Sequence, residues 1–386
     1  MNTPTNMNRC VYEDAVRFET KSSSLSDFRT QYAYMHGPIC IVICIFGIIL
    51  NAANIVVLTR KNMMTSINVI LTWLAVADNL KMTDYLIFAI GFYVMKDPDL
   101  ALMNTYNIHK GKYLEFHASF AIVCHNIGVW LTVSLAIFRF LYIWFPGRGK
   151  LFCTVTRAKI TVALIYVTIA IICIPNYYTN FLDKKTPKHL NSSNVTCHAK
   201  YTVNMIDQKD PVFIANTYIQ AIFTKLVPCV LLTVLTFLLI YAMHQAYQKR
   251  KVLLSQGHDQ DARRHHEHNR TTGMLLAVVI LFLLIELPFG ILTLMIVFSP
   301  AEWMTKVYDN LGEFHELLAL CNNAVNFLLY CSMSKQFRKT FISIFCRCLP
   351  KQNYRIINMT EMSQFNNSMN HNHLNTTHVQ TDGHMG

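Results

Sequence analysis

Apolar residues in this chain run in long blocks rather than alternating with polar ones. Residues 38–59, 160–182 and 317–334 contain no Asp, Glu, Lys or Arg, and 272–298 contains only Glu286. Residues 116–138 hold just His117 and His125 as titratable groups, and 226–248 extends upstream through Lys225 to about Pro211. A seventh block, 66–95, is apolar but interrupted by Asp78, Lys81 and Asp84. A bilayer core about 30 Å thick takes roughly 20 helical residues, so each block is long enough to cross it. The pattern predicts an all-α membrane protein: a bundle of seven transmembrane helices. Downstream, Phe337, Phe341 and Phe345 recur every four residues beside Lys335, Arg338 and Lys339, which predicts a short amphipathic membrane-surface helix at 334–348.

This divides the chain into an extracellular N-terminal segment (1–35), a seven-helix domain (36–348) and a disordered cytoplasmic tail (349–386) rich in Asn, His and Thr. Residues 1–35 offer no short apolar stretch for a cleavable signal peptide, so the first span is expected to act as the signal anchor. Composition agrees, because only 15% of residues are charged and 53% are hydrophobic. About a quarter of a soluble domain is charged, so soluble and disordered classes are both excluded.

Charge sets the orientation. With the C-terminus cytoplasmic, inner segments hold 18 Lys and Arg against 13 in outer ones. The sequons at Asn191 and Asn194 fall between the fourth and fifth spans, on the outer side in this orientation, and are expected to be glycosylated. The N-terminus is therefore expected outside, in a multi-pass plasma-membrane protein.

Ionisable groups inside spans are functional candidates by default, because burying an unpaired charge is costly. Asp78 ends the run Leu-Ala-Val-Ala-Asp, and Asn322, Asn326 and Tyr330 lie four apart along the seventh span and share a face. Arg139 ends the third span, while Pro228 and Pro288 interrupt the fifth and sixth. No HExxH or paired-Asp motif accompanies the histidines, and the seventh span has no lysine for a Schiff base. Neither an enzyme, a cofactor nor a metal site is expected; His265, His266 and His268 read as a solvated basic face. Nor is a nucleic-acid partner expected. A transporter using Lys81, Asp84, Lys225 and Glu286 is the alternative function.

Together and in order, Asn51, Asp78, Arg139, Pro228, Pro288 and Asn326…Tyr330 resemble the rhodopsin-like G-protein-coupled receptors over about residues 36–348. Phe116-His-Ala-Ser-Phe, Leu131-Thr-Val-Ser-Leu-Ala, Thr271-Thr-Gly-Met-Leu-Leu-Ala, Glu286-Leu-Pro and Met333-Ser-Lys-Gln-Phe-Arg narrow this. They look like invertebrate myosuppressin and FMRFamide-like neuropeptide receptors, above all the nematode myosuppressin-receptor relatives. The resemblance implies a short amidated neuropeptide bound outside and an inhibitory (Gi/o) heterotrimeric G protein engaged inside.

Several positions depart from the general receptor pattern. Phe138-Arg139-Phe140 replaces Asp-Arg-Tyr, Phe327 replaces the proline of Asn-Pro-x-x-Tyr, and Glu286 stands where Trp is usual. Gly128 occupies the place of a serine that would ligate sodium beside Asp78, the fourth span lacks its usual Trp, and Thr236 replaces Tyr. Leu114 stands where the third span normally offers a cysteine. Cys10 and Cys197 are the cysteines in outer segments, where oxidation is permitted, and are expected to pair.

Under the resemblance, the outer half of the bundle holds the peptide. A carboxylate grips a guanidinium bidentately, so Glu316, Glu286 or Asp84 is expected to receive the arginine of an Arg-Phe-amide peptide. Lys225 and Glu286 fall at similar depth and are expected to pair, with His117, His125, Tyr218 and Gln220 as further lining groups. Asn51, Asp78, Asn322, Asn326 and Tyr330, with Pro228 and Pro288, form the expected activation switch, and Arg139 is expected to meet the G protein. Lys249–Lys251 and Arg263–His268 would frame the inner loop facing G protein or anionic lipid. Cys346 and Cys348 are expected palmitoylation sites; Ser363, Ser368, Thr376 and Thr377 are candidate kinase sites for arrestin recruitment.

Overall fold

The computed structural model describes residues 11–12, 24–95, 106–145, 148–185, 187–188, 200–207, 209–255, 259–298 and 302–345. A backbone in lipid must satisfy its own hydrogen bonds, so every apolar block adopts helix. The spans fall in α1 (Ser24–Leu58), α2 (Ser66–Ala89), α3 (Ile108–Trp144), α5 (Val155–Ile172) with α6 (Ile174–Thr179), α7 (Pro211–Ile219) with α8 (Val227–Ser255), α9 (Asp259–Phe298) and α10 (Glu302–Met333). A short turn, α4 (Gly149–Phe152), precedes α5, and α11 (Lys335–Phe345) follows α10.

Side chains set several starts. Thr65, Asn107, Thr154 and Asp210 each accept a backbone N–H of the first turn of α2, α3, α5 and α7. Two helices widen into π turns, α2 at Ile90–Val94 and α7 at Gln220–Leu226 just before α8. The second lies immediately before Pro228, whose ring would crowd the carbonyl four residues back in a regular helix. Pro288, by contrast, sits inside a continuous α9 and does not interrupt it.

The helices outrun the apolar blocks. α1 starts at Ser24, within the N-terminal segment read from the sequence. Asp27 in its first turn complements the helix dipole. Phe28 and Tyr32 stack at 5.7 Å and meet Phe314 of α10 edge-on at 6.5 and 6.0 Å, so aromatic packing replaces lipid as the support for this extension. Among the described residues, four helical stretches are individually long and apolar enough to span: Gln31–Leu58, Ile108–Trp144, Val155–Thr179 and Pro211–Gln245. Val279–Met295 in α9 is a shorter apolar stretch. α2 falls short because its charges sit mid-helix, facing inward.

α1 packs on α2 and α10; α2 packs also on α3 and α5, α3 on α5 and α8, α8 on α9, and α9 on α10, which closes the ring. One apolar core joins Val129, Val133 and Ala136 of α3 to Leu232 and Leu239 of α8 and Val279 and Phe282 of α9. Another joins Cys40 and Cys44 of α1 to Met82, Tyr85 and Ala89 of α2 and Leu320 of α10. The outer faces are apolar instead of polar: Phe46, Leu164, Val167, Phe237 and Leu284 are all exposed, while Asn51, Asp78, Lys81, Asp84 and Glu286 are buried. That inversion is the signature of a bundle dissolved in hydrocarbon.

Strands β2 (Asn180–Lys185) and β4 (Lys200–Met205) form an antiparallel hairpin between α6 and α7. β1 (Val11–Tyr12) pairs antiparallel with β3 (Pro187–Lys188), joining the N-terminal segment to the same loop. The hairpin is tied to the start of α3 through Tyr106, whose N–H donates to Tyr201 O at 2.7 Å and whose carbonyl accepts from Tyr201 N at 2.8 Å. Gly111 of α3 permits this approach, since a Cβ there would lie 2.7 Å from Leu182 Cδ1. Lys110 completes the corner by donating to Gly91 O and Met95 O, both at 3.0 Å, at the end of the π turn.

Gly37 of α1 makes a similar close approach: a Cβ would collide with Tyr93 Cβ and lie 2.8 Å from its Cγ, whereas one on Gly312 would meet nothing within 4 Å. Gly37→Ala should therefore lower stability by roughly 1–3 kcal/mol through overpacking. Gly312→Ala should be neutral or stabilising by up to about 1 kcal/mol, because alanine favours helix. Thermal unfolding of the detergent-purified chain, with surface labelling of tagged protein, distinguishes the two.

Candidate functional site

Four carboxylates occupy the bundle interior, and each is held from a different helix. Asp84 of α2 lies 2.6 Å from His117 Nδ1 of α3 through Oδ2, and 2.9 Å from the Tyr113 hydroxyl through Oδ1. The His117 ring stacks on Phe88 at 4.1 Å. Glu316 of α10 meets Lys81 Nζ of α2 at 2.9 Å. Glu286 of α9 gathers three bases: Lys225 Nζ at 3.0 Å and His125 Nε2 at 3.4 Å on Oε2, with His315 Nε2 3.7 Å from Oε1. Asp78 of α2 accepts from Asn326 Nδ2 at 3.1 Å and has no salt bridge among the described residues.

These groups differ in access. The side chains of Asp84 and Glu286 are 4% exposed, but that of Glu316 is 30% exposed. Lys81 and Lys225 are the lysines that pair with these acids. Asp84 has a histidine and Asp78 an amide as its nitrogen partner instead. In a low-dielectric surrounding, a carboxylate without a lysine or arginine partner favours a cationic guest.

Asp78, Lys81, His125, Glu286, Asn322 and Asn326 line, together with Leu74, Val129 and Phe282, a partly enclosed cavity of about 20 Å³ in mid-bundle. The cavity is about one water in size. Gly128 lines it too, and a Cβ there would lie 3.9 Å from Asp78 Oδ1, so this position faces the acid but offers it no oxygen. Asn51 donates to Asn323 O at 3.0 Å, which ties α1 to the same stretch of α10. Near the C-terminal end of α3, Arg139 is buried, and its Nε has no hydrogen-bond partner among the described residues. Cys153 Sγ donates to Phe138 O at 3.4 Å beside it, and burial pushes that thiol's pKa up. Tyr330 is buried with its ring 5.8 Å from Phe337.

The structure brings together Lys225 with Glu286, Asp78 with Asn326, and Asp84 with His117. Gln220 joins a separate polar group, accepting from Asn126 Nδ2 at 3.3 Å beside Cys173. Tyr218 is 41% exposed on α7. Sequence reasoning missed Lys81 as the partner of Glu316, His315 beside Glu286, Tyr113 on Asp84, and the network in which His36 Nε2 meets Tyr85 OH at 2.8 Å. The spacing of Asp78, Lys81 and Asp84, three apart along one face of α2, was the available signal for the first. Cys10, Cys197, Asn191, Asn194, Cys346 and Cys348, and the tail sites, lie outside the described residues, as do the side chains of Arg263–His268.

Removing one member of a buried pair leaves the other uncompensated. Glu286→Gln should therefore destabilise the folded chain by roughly 3 kcal/mol, and adding Lys225→Met should recover most of that loss. Melting temperatures of the two purified variants against the parent check it; an equal loss in the double variant would argue against the pair.

A family profile described as "Serpentine type 7TM GPCR chemoreceptor Srw" matches residues 38–348. The chain is 28% identical over 352 residues to the sex peptide receptor of Drosophila melanogaster, covering 86% of this chain and 78% of that one. It is 29% identical over 366 residues to the G-protein coupled receptor dmsr-1 of Caenorhabditis elegans, covering 82% and 70%. It is 23% identical over 321 residues to the FMRFamide receptor of Drosophila melanogaster, covering 80% of this chain and 53% of that receptor. None of these three relatives is a transporter.

Proposed function

This chain belongs to the serpentine seven-transmembrane G-protein-coupled receptors, and on that footing we propose that it is a plasma-membrane receptor for a short amidated neuropeptide of the FMRFamide or myosuppressin type, signalling through Gi/o. The observation that carries the ligand class is the set of interior carboxylates, Asp84, Glu286 and Glu316, of which Glu316 keeps a partly exposed side chain that suits a peptide bearing a guanidinium. The names of the similar receptors, for a sex peptide and for FMRFamide, favour the same class.

In this reading the N-terminus and the β2–β4 hairpin face outside, Asn191 and Asn194 carry glycans, and Cys10 pairs with Cys197. The β1–β3 pairing supports that link, since it sets the residue after Cys10 opposite the loop that holds Cys197. Peptide enters from the hairpin side toward Asp84, Glu286 and Glu316, with His117, Gln220, Lys225 and Tyr218 along its way. Asn51, Asp78, Asn322, Asn326 and Tyr330 then change partners, and the sixth helix swings about Pro288 while the fifth adjusts at the π turn before Pro228. Arg139, buried in the resting arrangement, becomes available to the G protein. Cys346 and Cys348 carry palmitate, and the phosphorylated tail beyond 349 recruits arrestin.

Expression in cells, with a panel of peptides ending in Arg-Phe-amide and their free-acid forms, tests the reading. Amidated forms alone should activate a G protein, and a toxin that blocks the inhibitory class should abolish the response. Silence across the panel, with surface expression verified, would overturn the ligand class; a toxin-resistant response would overturn the coupling. Arg139→Ala should keep peptide binding within about threefold, an effect under about 0.7 kcal/mol, while nucleotide exchange is lost. Parallel binding and exchange measurements on the same membranes check this.

A further inference from the structure

Lys81 stands between two acids but is paired with only one. Its ammonium meets Glu316 at 2.9 Å, on the single oxygen Oε1. Of the four acids Asp78, Asp84, Glu286 and Glu316, Glu316 is the one with appreciable exposure, at 30% of its side chain. On the other side, Lys81 lines the mid-bundle cavity together with Asp78, one turn deeper on the same face of α2. Asp78 is 5% exposed and is held by an amide, Asn326 Nδ2, rather than by a cation. One lysine thus serves two buried carboxylates on two helices, α2 and α10.

Resting on the proposal of an Arg-Phe-amide ligand, we infer that Glu316 is the acceptor of the ligand's guanidinium, and that the ligand acts by displacing Lys81 from Glu316 toward Asp78. A planar guanidinium takes both oxygens of a carboxylate, whereas an ammonium is a point donor, so arginine outcompetes lysine at this acid. Asp84 and Glu286 are poorer acceptors because each is 4% exposed and already covered by bases from neighbouring helices. Once released, the ammonium cannot stay unpaired in the interior, and Asp78, three residues away on the same face of α2 and lining the same cavity, has no salt bridge among the described residues. Its arrival replaces the Asn326 hydrogen bond and frees the inner half of α10, which carries Asn326 and Tyr330. No charge enters or leaves except that of the ligand. The two arrangements therefore differ by a partner exchange, which ligand binding biases through its preference for the second.

The full-length receptor in cells provides the test, using the most potent Arg-Phe-amide peptide of the panel and the same peptide with citrulline in place of arginine, which keeps the shape but loses the charge. The parent receptor should prefer arginine to citrulline by about 10- to 100-fold in binding. Glu316→Gln should erase most of that preference, while Glu286→Gln and Asp84→Asn keep it where they reach the surface. Lys81→Met should bind the arginine peptide more tightly, since its internal competitor is gone, yet respond less at saturation, since nothing moves to Asp78. A purely structural lysine would not move affinity and efficacy in opposite directions. The double variant K81M/E316Q removes both charges of the pair, which guards against misfolding; it should lose the preference and stay weakly active.

Undiminished arginine preference in Glu316→Gln or in the double variant would overturn the assignment of the acceptor. Lys81→Met with unchanged affinity and full efficacy would overturn the displacement. A parent receptor that ignores every amidated peptide is a different outcome, and it would reject the ligand class itself.

Discussion

A charge inside a bilayer-spanning bundle is tolerated only where another helix brings it an opposite charge or a hydrogen-bond donor, and the arrangement of these helices follows from that. Desolvating an ion costs several kcal/mol, which no apolar packing on the lipid side returns. Asp78, Lys81 and Asp84 commit one face of α2 to the interior, and their partners lie on α10 and α3. Lys225 and Glu286 do the same for the fifth and sixth spans. Since successive residues are turned by about 100° around a helix, a one-residue slip would aim each of these side chains at lipid or at a neighbour with no partner. The ion pairs thus fix the rotation of the helices more strictly than their apolar faces do.

At the end that carries the β2–β4 hairpin, the bundle is held by different means. With Leu114 standing where a cysteine is usual, the hairpin is joined to α3 by paired backbone hydrogen bonds between Tyr106 and Tyr201, and α3 to the second span by Lys110. Aromatic rings around His36, Tyr85, Phe88 and His117 fill the space between α1, α2 and α3. Close approach at Gly37 and Gly111 makes these contacts possible, as small residues do where packing rather than hydrophobic exclusion holds membrane helices together. In the mid-bundle, Lys81 lines the same cavity as Asp78 while it pairs with Glu316.

Much of the architecture was legible along the chain. Seven apolar blocks became seven helical spans because hydrocarbon leaves the backbone no alternative. The Lys225–Glu286 pair was readable as well, since both residues flank prolines at matching depth. The start of α1 was not, because its extension is supported by Phe28 and Tyr32 resting on Phe314 of α10 and not by lipid. The π turn before Pro228 was also hidden, since a proline in a span signals a disturbed helix but not how the strain is relieved. His315 escaped notice because its value lies wholly in standing beside Glu286 and stacking on Phe289 at 4.0 Å.

By itself, then, the amino-acid order determined that this is a bundle of seven membrane helices with acids and bases turned inward, and which residues those are. These properties are local: hydropathy, charge and helical spacing act within one segment. Apart from Lys225 with Glu286, only the tertiary structure decided who pairs with whom. Lys81 lies three residues from both Asp78 and Asp84, and nothing in that spacing points to Glu316, far away in the chain. The choice depends on where α10 stands against α2, to within the few ångströms that separate an ion pair from two buried, uncompensated charges.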